Sequence, residues 1–198
     1  SCTKSFTSLA WLLFLDEVKK KANQKKPIID LSTQVHTFLP KSFIKTDIRK
    51  KRITLHHLLS MTSGVPGEAQ GIYGLVTKSN DGPFEFALGF CDNRYGKSLS
   101  KLSHIPGVNW DYSDAGVAIL SQLFFNIAKM NIHEYLNKKI LKPIGIENAS
   151  WDLHGGGKFL GPYTSSHIGL HISARDLSRF GFLLLNKGKW KDKQLVPS

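Results

Sequence analysis

Residues 6–15 read Phe-Thr-Ser-Leu-Ala-Trp-Leu-Leu-Phe-Leu, and no other stretch of the 198-residue chain limits the fold as strongly. Phe6, Leu9, Ala10, Leu13 and Phe14 recur at helical spacing. Trp11, Leu12 and Leu15 widen that stripe almost all round, so the pattern predicts a buried helix over residues 3–21. Lys19, Lys20 and Lys21 sit where a helix C-terminus favours cations, and Ser1 is a favoured N-cap type. The apolar run Leu9–Leu15 falls far short of the roughly 20 residues that a membrane helix needs, so no transmembrane segment is expected. A buried helix at the very start must pack against something.

The partners are further helices. Val117, Leu120, Leu123, Phe124 and Ile127 give an apolar face to a second strong helix over residues 115–130. A third is expected over residues 132–141, stopped by Pro143 and Gly145, and a fourth over 174–185 with Ser173 as N-cap. Shorter helical or turn segments are expected over 28–39, 53–59 and 83–90. A long functional loop region is expected over 64–109, a loop over 150–170, and the start of another element over 190–196. Strand patterns are scarce. A helix of this burial at the start and another near the end imply that part of the fold lies outside the segment.

Composition removes several classes. Hydrophobic residues at 41% and charged residues at 21% describe a globular chain and exclude disorder, collagen and coiled coil. Two cysteines, Cys2 and Cys91, are too few for a disulfide scaffold or a cysteine-based zinc site. The formal charge is +12, concentrated between Lys19 and Arg52 and again at Lys187–Lys193. No nucleic-acid motif accompanies it, so it implies a lysine-rich solvated surface with at most weak attraction to anionic surfaces.

Two constellations carry chemistry. In Ser1-Cys2-Thr3-Lys4 the hydroxyl and the amine are three residues apart, which puts them on one face of a helix start. A serine hydroxyl needs a base, and a lysine serves if burial depresses its pKa. In Asn109-Trp110-Asp111-Tyr112-Ser113-Asp114 a tyrosine precedes a helix, where its hydroxyl can face a cleft and act as a general base beside an ammonium. Trp110, Trp151 and Tyr163 are candidates either to line that cleft or to pack in the core. His56-His57, and His167 with His171, lack the context of a metal site, and no metal or cofactor is expected. His154-Gly155-Gly156-Gly157 lacks a Gly-x-Ser-x-Gly partner and reads as a loop. A serine at the first residue also fits an N-terminal-nucleophile hydrolase, but such a nucleophile sits on a strand and this one opens a helix.

Five blocks then occur in one order: Ser1-x-x-Lys4; Ile53-Thr54-Leu55-His56-His57-Leu58-Leu59-Ser60-Met61-Thr62-Ser63-Gly64; Pro106-Gly107 through Tyr112-Ser113-Asp114-Ala115-Gly116; Leu141-Lys142-Pro143-Ile144-Gly145-Ile146; and Ser173-Ala174-Arg175-Asp176-Leu177-Ser178-Arg179-Phe180-Gly181. In this the chain resembles the serine β-lactamase family, the class C-like branch of penicillin-recognising serine hydrolases. The Met61-Thr62-Ser63-Gly64 block and the Lys4-Ser5-Phe6-Thr7-Ser8 continuation look most like its 6-aminohexanoate-dimer hydrolase and esterase side.

The resemblance implies an α+β fold of the β-lactamase/transpeptidase type, present here mostly as its helical portion. Residues 1–198 would be one incomplete domain, starting at the nucleophile and ending before the family's third motif, a Lys/His-x-Gly strand. It implies Ser1 as acylated nucleophile, Lys4 as its partner and Tyr112 as proton shuttle, with Asp114 and Trp110 on the substrate side. Asp114 stands where the family often has Asn, which keeps an acceptor for Lys4 but loses an amide donor. The implied substrate is a small molecule or peptide with an ester, amide, peptide or β-lactam bond. A D-alanyl-D-alanine carboxypeptidase-like enzyme and a catalytically vestigial binding protein of the same fold are the alternatives. Members of this family are commonly exported.

Overall fold

The computed structural model describes residues 2–22, 29–67, 101–154 and 163–197. The element expected over 83–90, Cys91 and the loop at 155–157 lie outside the described residues, as does Ser1.

Helix α1 (Thr3–Lys21) has the expected extent, but its N-cap is Cys2 and not Ser1. Cys2 supplies no side-chain cap, and its carbonyl accepts from Ser5 N–H at 3.0 Å. Phe6, Ala10 and Trp11 of α1 are fully buried, while Leu12 reaches the surface. The burial is therefore one broad face, narrower than the sequence pattern suggests.

Downstream, residues 31–35 run antiparallel to 53–56. Val35 N–H donates to Ile53 O at 3.0 Å, and His56 N–H donates to Leu31 O at 2.9 Å. Between them lie a 3₁₀ turn (Val35–Phe38), the short α2 (Ser42–Lys45) that seats Phe43 in the core, and a 3₁₀ turn over Ile48–Arg52. The last is capped by Asp47, whose carboxylate accepts from Arg49 N–H at 2.9 Å. Helix α3 (Leu55–Leu59) follows.

Helix α4 (Asp114–Ala128) is the central element. Every residue from Asp114 to Phe124 is buried, so it is covered on all sides and not only on the predicted face. It stops at Lys129, which adopts a left-handed conformation (φ 59°). The third predicted helix is regular only over α5 (Ile132–Leu136). It relaxes into a π turn (Asn137–Leu141) and a 3₁₀ turn (Lys142–Ile144), because Pro143 has no N–H to continue the ladder. Gly145 (φ 78°) completes the stop.

Aromatic side chains tie these helices together. Trp11 and Phe14 of α1 meet Phe124 of α4, each with ring centroids 5.2 Å apart, and Phe124 meets Tyr135 of α5 at 5.2 Å. Helix α6 (Ala174–Leu185) has the predicted bounds, with Ser173 Oγ accepting from Asp176 N–H at 3.1 Å. Its Phe180 stacks on Phe6 at 3.8 Å and so pins the start of α1.

Helices dominate the described residues. Strands are two residues long and pair antiparallel: β1 (Ser150–Trp151) with β4 (Leu170–His171), β2 (Leu153–His154) with β3 (Tyr163–Thr164), and β5 (Lys189–Trp190) with β6 (Lys193–Gln194). The segment read as a loop over 150–170 thus contains paired, buried backbone in its described parts. Among the described residues no single helix is long and apolar enough to cross a membrane.

Candidate active site

Lys4 lies in the first turn of α1, whose position is set by Phe6 on Phe180 and by hydroxyls that reach across to residues 164–170. Thr7 Oγ1 donates to Ser166 O at 2.8 Å, and Thr3 Oγ1 accepts from Leu170 N–H at 3.2 Å. Helix α4 holds the other side of the same segment. Ser121 Oγ donates to Thr164 O at 2.5 Å, and Ser166 Oγ donates to Val117 O at 2.7 Å. Thr164, Ser165, Ser166 and His167 are buried between the two helices. A hydroxyl-rich run clamped in this way satisfies its buried backbone through side chains.

The clamp fixes an acceptor for Lys4. The ammonium donates to His167 O at 2.9 Å, forms an ion pair with Asp114 Oδ1 at 2.7 Å, and lies against the Tyr112 side chain with the ring centroid 5.1 Å away. The side chains of Lys4 and Asp114 are only 17% and 9% exposed. Burial alone would push the Lys4 pKa down. Its hydrogen bonds to Asp114 and Tyr112, with their charge, outweigh that and hold it above its ordinary value. The expectation of a lysine depressed by burial is corrected here: Lys4 stays an ammonium.

Asp114 is the first residue of α4, where the helix dipole favours a carboxylate. Ser113 caps the helix, its Oγ accepting from Gly116 N–H at 2.9 Å and donating to Pro66 O at 3.2 Å. The loop leading to Tyr112 is stitched to the turn after α3. Ser103 N–H donates to Gly64 O at 2.9 Å, Gly107 N–H to Thr62 O at 2.8 Å, and Asp111 N–H to Met61 O at 3.0 Å. Gly64 (φ 76°) turns tightly there, and a Cβ on it would run into the His104 carbonyl. The Met61-Thr62-Ser63-Gly64 block is thus a backplate for the tyrosine loop, a role that its sequence did not announce.

Of the aromatic candidates, Trp110 is 66% exposed and Tyr112 38%, so both reach solvent. Trp151 and Tyr163 are core residues. Trp151 Nε1 donates to Ser165 O at 2.6 Å, and Tyr163 packs edge-on against Phe125. The histidines have structural partners. His57 Nδ1 accepts from Thr54 N–H at 3.2 Å as part of a capping box, and burial together with the His56 charge keeps the His57 pKa low. His171 Nε2 lies 3.0 Å from Asp152 Oδ1. His167 contributes its carbonyl to Lys4, a role that no residue-type pattern signals.

The Beta-lactamase family model matches residues 1–197. The chain belongs to the Beta-lactamase family. Solved relatives of this family share the fold. A Bacillus anthracis protein named for 6-aminohexanoate-dimer hydrolase superposes with a TM-score of 0.68 at 21% identity, over 98% of this chain and 49% of that one. A Beta-lactamase/D-alanine Carboxypeptidase from Yersinia pestis gives 0.58 at 23% identity, over 91% of this chain and 51% of that one. Protein flp of Staphylococcus aureus (strain NCTC 8325 / PS 47) is 24% identical over 151 residues, 76% of this chain and 27% of its own length. The chain therefore spans about half of these solved β-lactamase relatives and about a quarter of the curated one.

Proposed function

We propose that this chain carries the acyl-transfer centre of a serine hydrolase, with Ser1 as nucleophile, Tyr112 as proton shuttle and Lys4 as a permanent cation. The observation that carries this reading is the buried Lys4 ammonium shared by Asp114, Tyr112 and the His167 carbonyl, three residues along the chain from Ser1. An ammonium has no lone pair to accept a proton. That assigns the base to Tyr112.

In this mechanism Ser1 Oγ attacks the acyl carbon, and its proton passes to the Tyr112 phenolate, whose charge Lys4 stabilises. The tetrahedral intermediate collapses. The leaving group departs with the proton that Tyr112 returns, and Ser1 holds the acyl group. Water then attacks the acyl carbon while Tyr112 takes its proton, and Ser1 recovers that proton as the acid leaves. Asp114 accepts from Lys4 and keeps it aimed at Tyr112. Exposed Trp110 forms the apolar lip against which an acyl or leaving group rests.

We take residues 1–198 to be one incomplete domain whose third motif is supplied by the remainder of the protein. Ester, amide, peptide and β-lactam bonds all suit the mechanism, and the Yersinia relative's name covers two of these. The test is turnover of p-nitrophenyl acetate and of a chromogenic β-lactam by the intact protein. Tyr112→Phe should lower kcat on the better substrate by about 10²-fold or more with KM little changed. Ser1→Ala should abolish acylation. Wild-type turnover by either variant refutes the reading.

A further inference from the structure

The turn after α3 does more than close a loop. Residues 63–67 are buried beneath the Tyr112–Gly116 segment. Two of their contacts bear on the Tyr112–Ser113 peptide. Ser113 Oγ donates to Pro66 O at 3.2 Å, and the Gly67 Cα faces the Tyr112–Ser113 peptide at a separation that leaves no room for a methyl group. A Cβ on Gly67 would collide with the Tyr112 carbonyl oxygen, and would stand 2.8 Å from its carbon and 3.0 Å from Ser113 Cα. These are backbone atoms, which cannot swing aside as the tip of a side chain can. Ser113 is also bound by its cap to Gly116 N–H, so the peptide cannot retreat without loosening α4.

We infer that Gly67 is a positioning residue for Tyr112: its lack of a side chain sets the depth at which the Tyr112 peptide seats, and so the reach of the Tyr112 oxygen to Lys4 and to the reacting atoms. The inference rests on the role proposed for Tyr112. A methyl group at residue 67 displaces that peptide by about 1 Å, and a misplacement of that size is enough to lower a rate by about 10²-fold.

The experiment is a double-mutant cycle in the intact protein, with p-nitrophenyl acetate as the probe. Gly67→Ala should lower kcat by about 10²-fold with KM changed less than about threefold, and should shift the pH profile. In a Tyr112→Phe background the same change should cost less than about twofold, because the group it misplaces is gone. Gly181→Ala, at a helical glycine with nothing within 4 Å, is the control and should leave kcat unchanged. If Gly67→Ala does not fold, Ser113→Ala replaces it in the cycle, since it loosens the same cradle by removing the bond to Pro66 O. Equal losses in both backgrounds overturn the positioning role and leave Tyr112 as shuttle intact. Wild-type activity of Tyr112→Phe alone overturns the underlying assignment instead.

Discussion

Replacing Lys4 by Met removes the cation that stands against Asp114. The Asp114 side chain is 9% exposed, and its Oδ1 sits 2.7 Å from Lys4 Nζ. The methionine fills most of the same volume, so little cavity is created. What changes is that a buried carboxylate and the His167 carbonyl both lose a donor. Breaking a buried pair from one side costs about 3–5 kcal/mol, because the remaining charge stays desolvated. Asp114→Asn leaves an oxygen to accept from Lys4 and exchanges a charge-assisted bond for an ordinary one, a loss of about 1–1.5 kcal/mol. In the Lys4→Met background the Asn is the better residue, since it removes the stranded charge. The double variant should therefore be more stable than Lys4→Met alone. Urea unfolding of the intact protein measures all four corners of this cycle. Lys4 has a raised pKa when folded, so its contribution is fully present below its unfolded value near 10.5 and is lost as pH rises through the folded value. The Lys4→Met penalty should shrink accordingly on the alkaline side. A penalty below about 1 kcal/mol at neutral pH, or simple additivity with Asp114→Asn, refutes the electrostatic account.

Other outcomes follow from the same structure. Arg49 and the Leu102 amide hold the Asp47 carboxyl down to about 2, against burial that would raise it. Its contribution is full above the unfolded value of 3.8 and is lost as pH falls through about 2. The stability difference between the intact protein and Asp47→Asn should thus narrow by about 1–2 kcal/mol on acidification from pH 5 to 2, allowing for solvent screening at half-exposed Arg49. Phe124→Ala removes the ring shared by Trp11, Phe14 and Tyr135 and should cost about 3–5 kcal/mol by chemical unfolding. If the strand with the third motif lies outside residues 1–198 and supplies an oxyanion-binding N–H, those residues expressed alone should turn over p-nitrophenyl acetate at least about 10²-fold more slowly than the intact protein.

The long helices were legible because periodicity and breakers act locally. Ser173 and Asp176 mark the start of α6 through a cap that needs no distant partner. The pattern of residue types and their order picked out Lys4, Tyr112 and Asp114, which the structure brings together, and Trp110, which is exposed. What the sequence hid depends on tertiary contact. The sign of the Lys4 shift is decided by Asp114 and Tyr112, more than a hundred residues away, and not by the apolar helix behind it. The His167 carbonyl is a backbone atom, invisible to any reading of side-chain types. The buried run Thr164-Ser165-Ser166 passed for a loop because its carbonyls are satisfied by Thr7 and Ser121 of the two flanking helices, contacts that no local pattern signals.

The most direct measurement of the central claim is the mass of the peptide that carries Ser1 after reaction. The intact protein is mixed with p-nitrophenyl acetate, quenched in acid within one turnover, digested and analysed by mass spectrometry. The account predicts one acetyl group on Ser1, formed more slowly in Tyr112→Phe and absent in Ser1→Ala. An unmodified Ser1 in a protein that still turns over the ester, or the same adduct yield in Ser1→Ala, would contradict it.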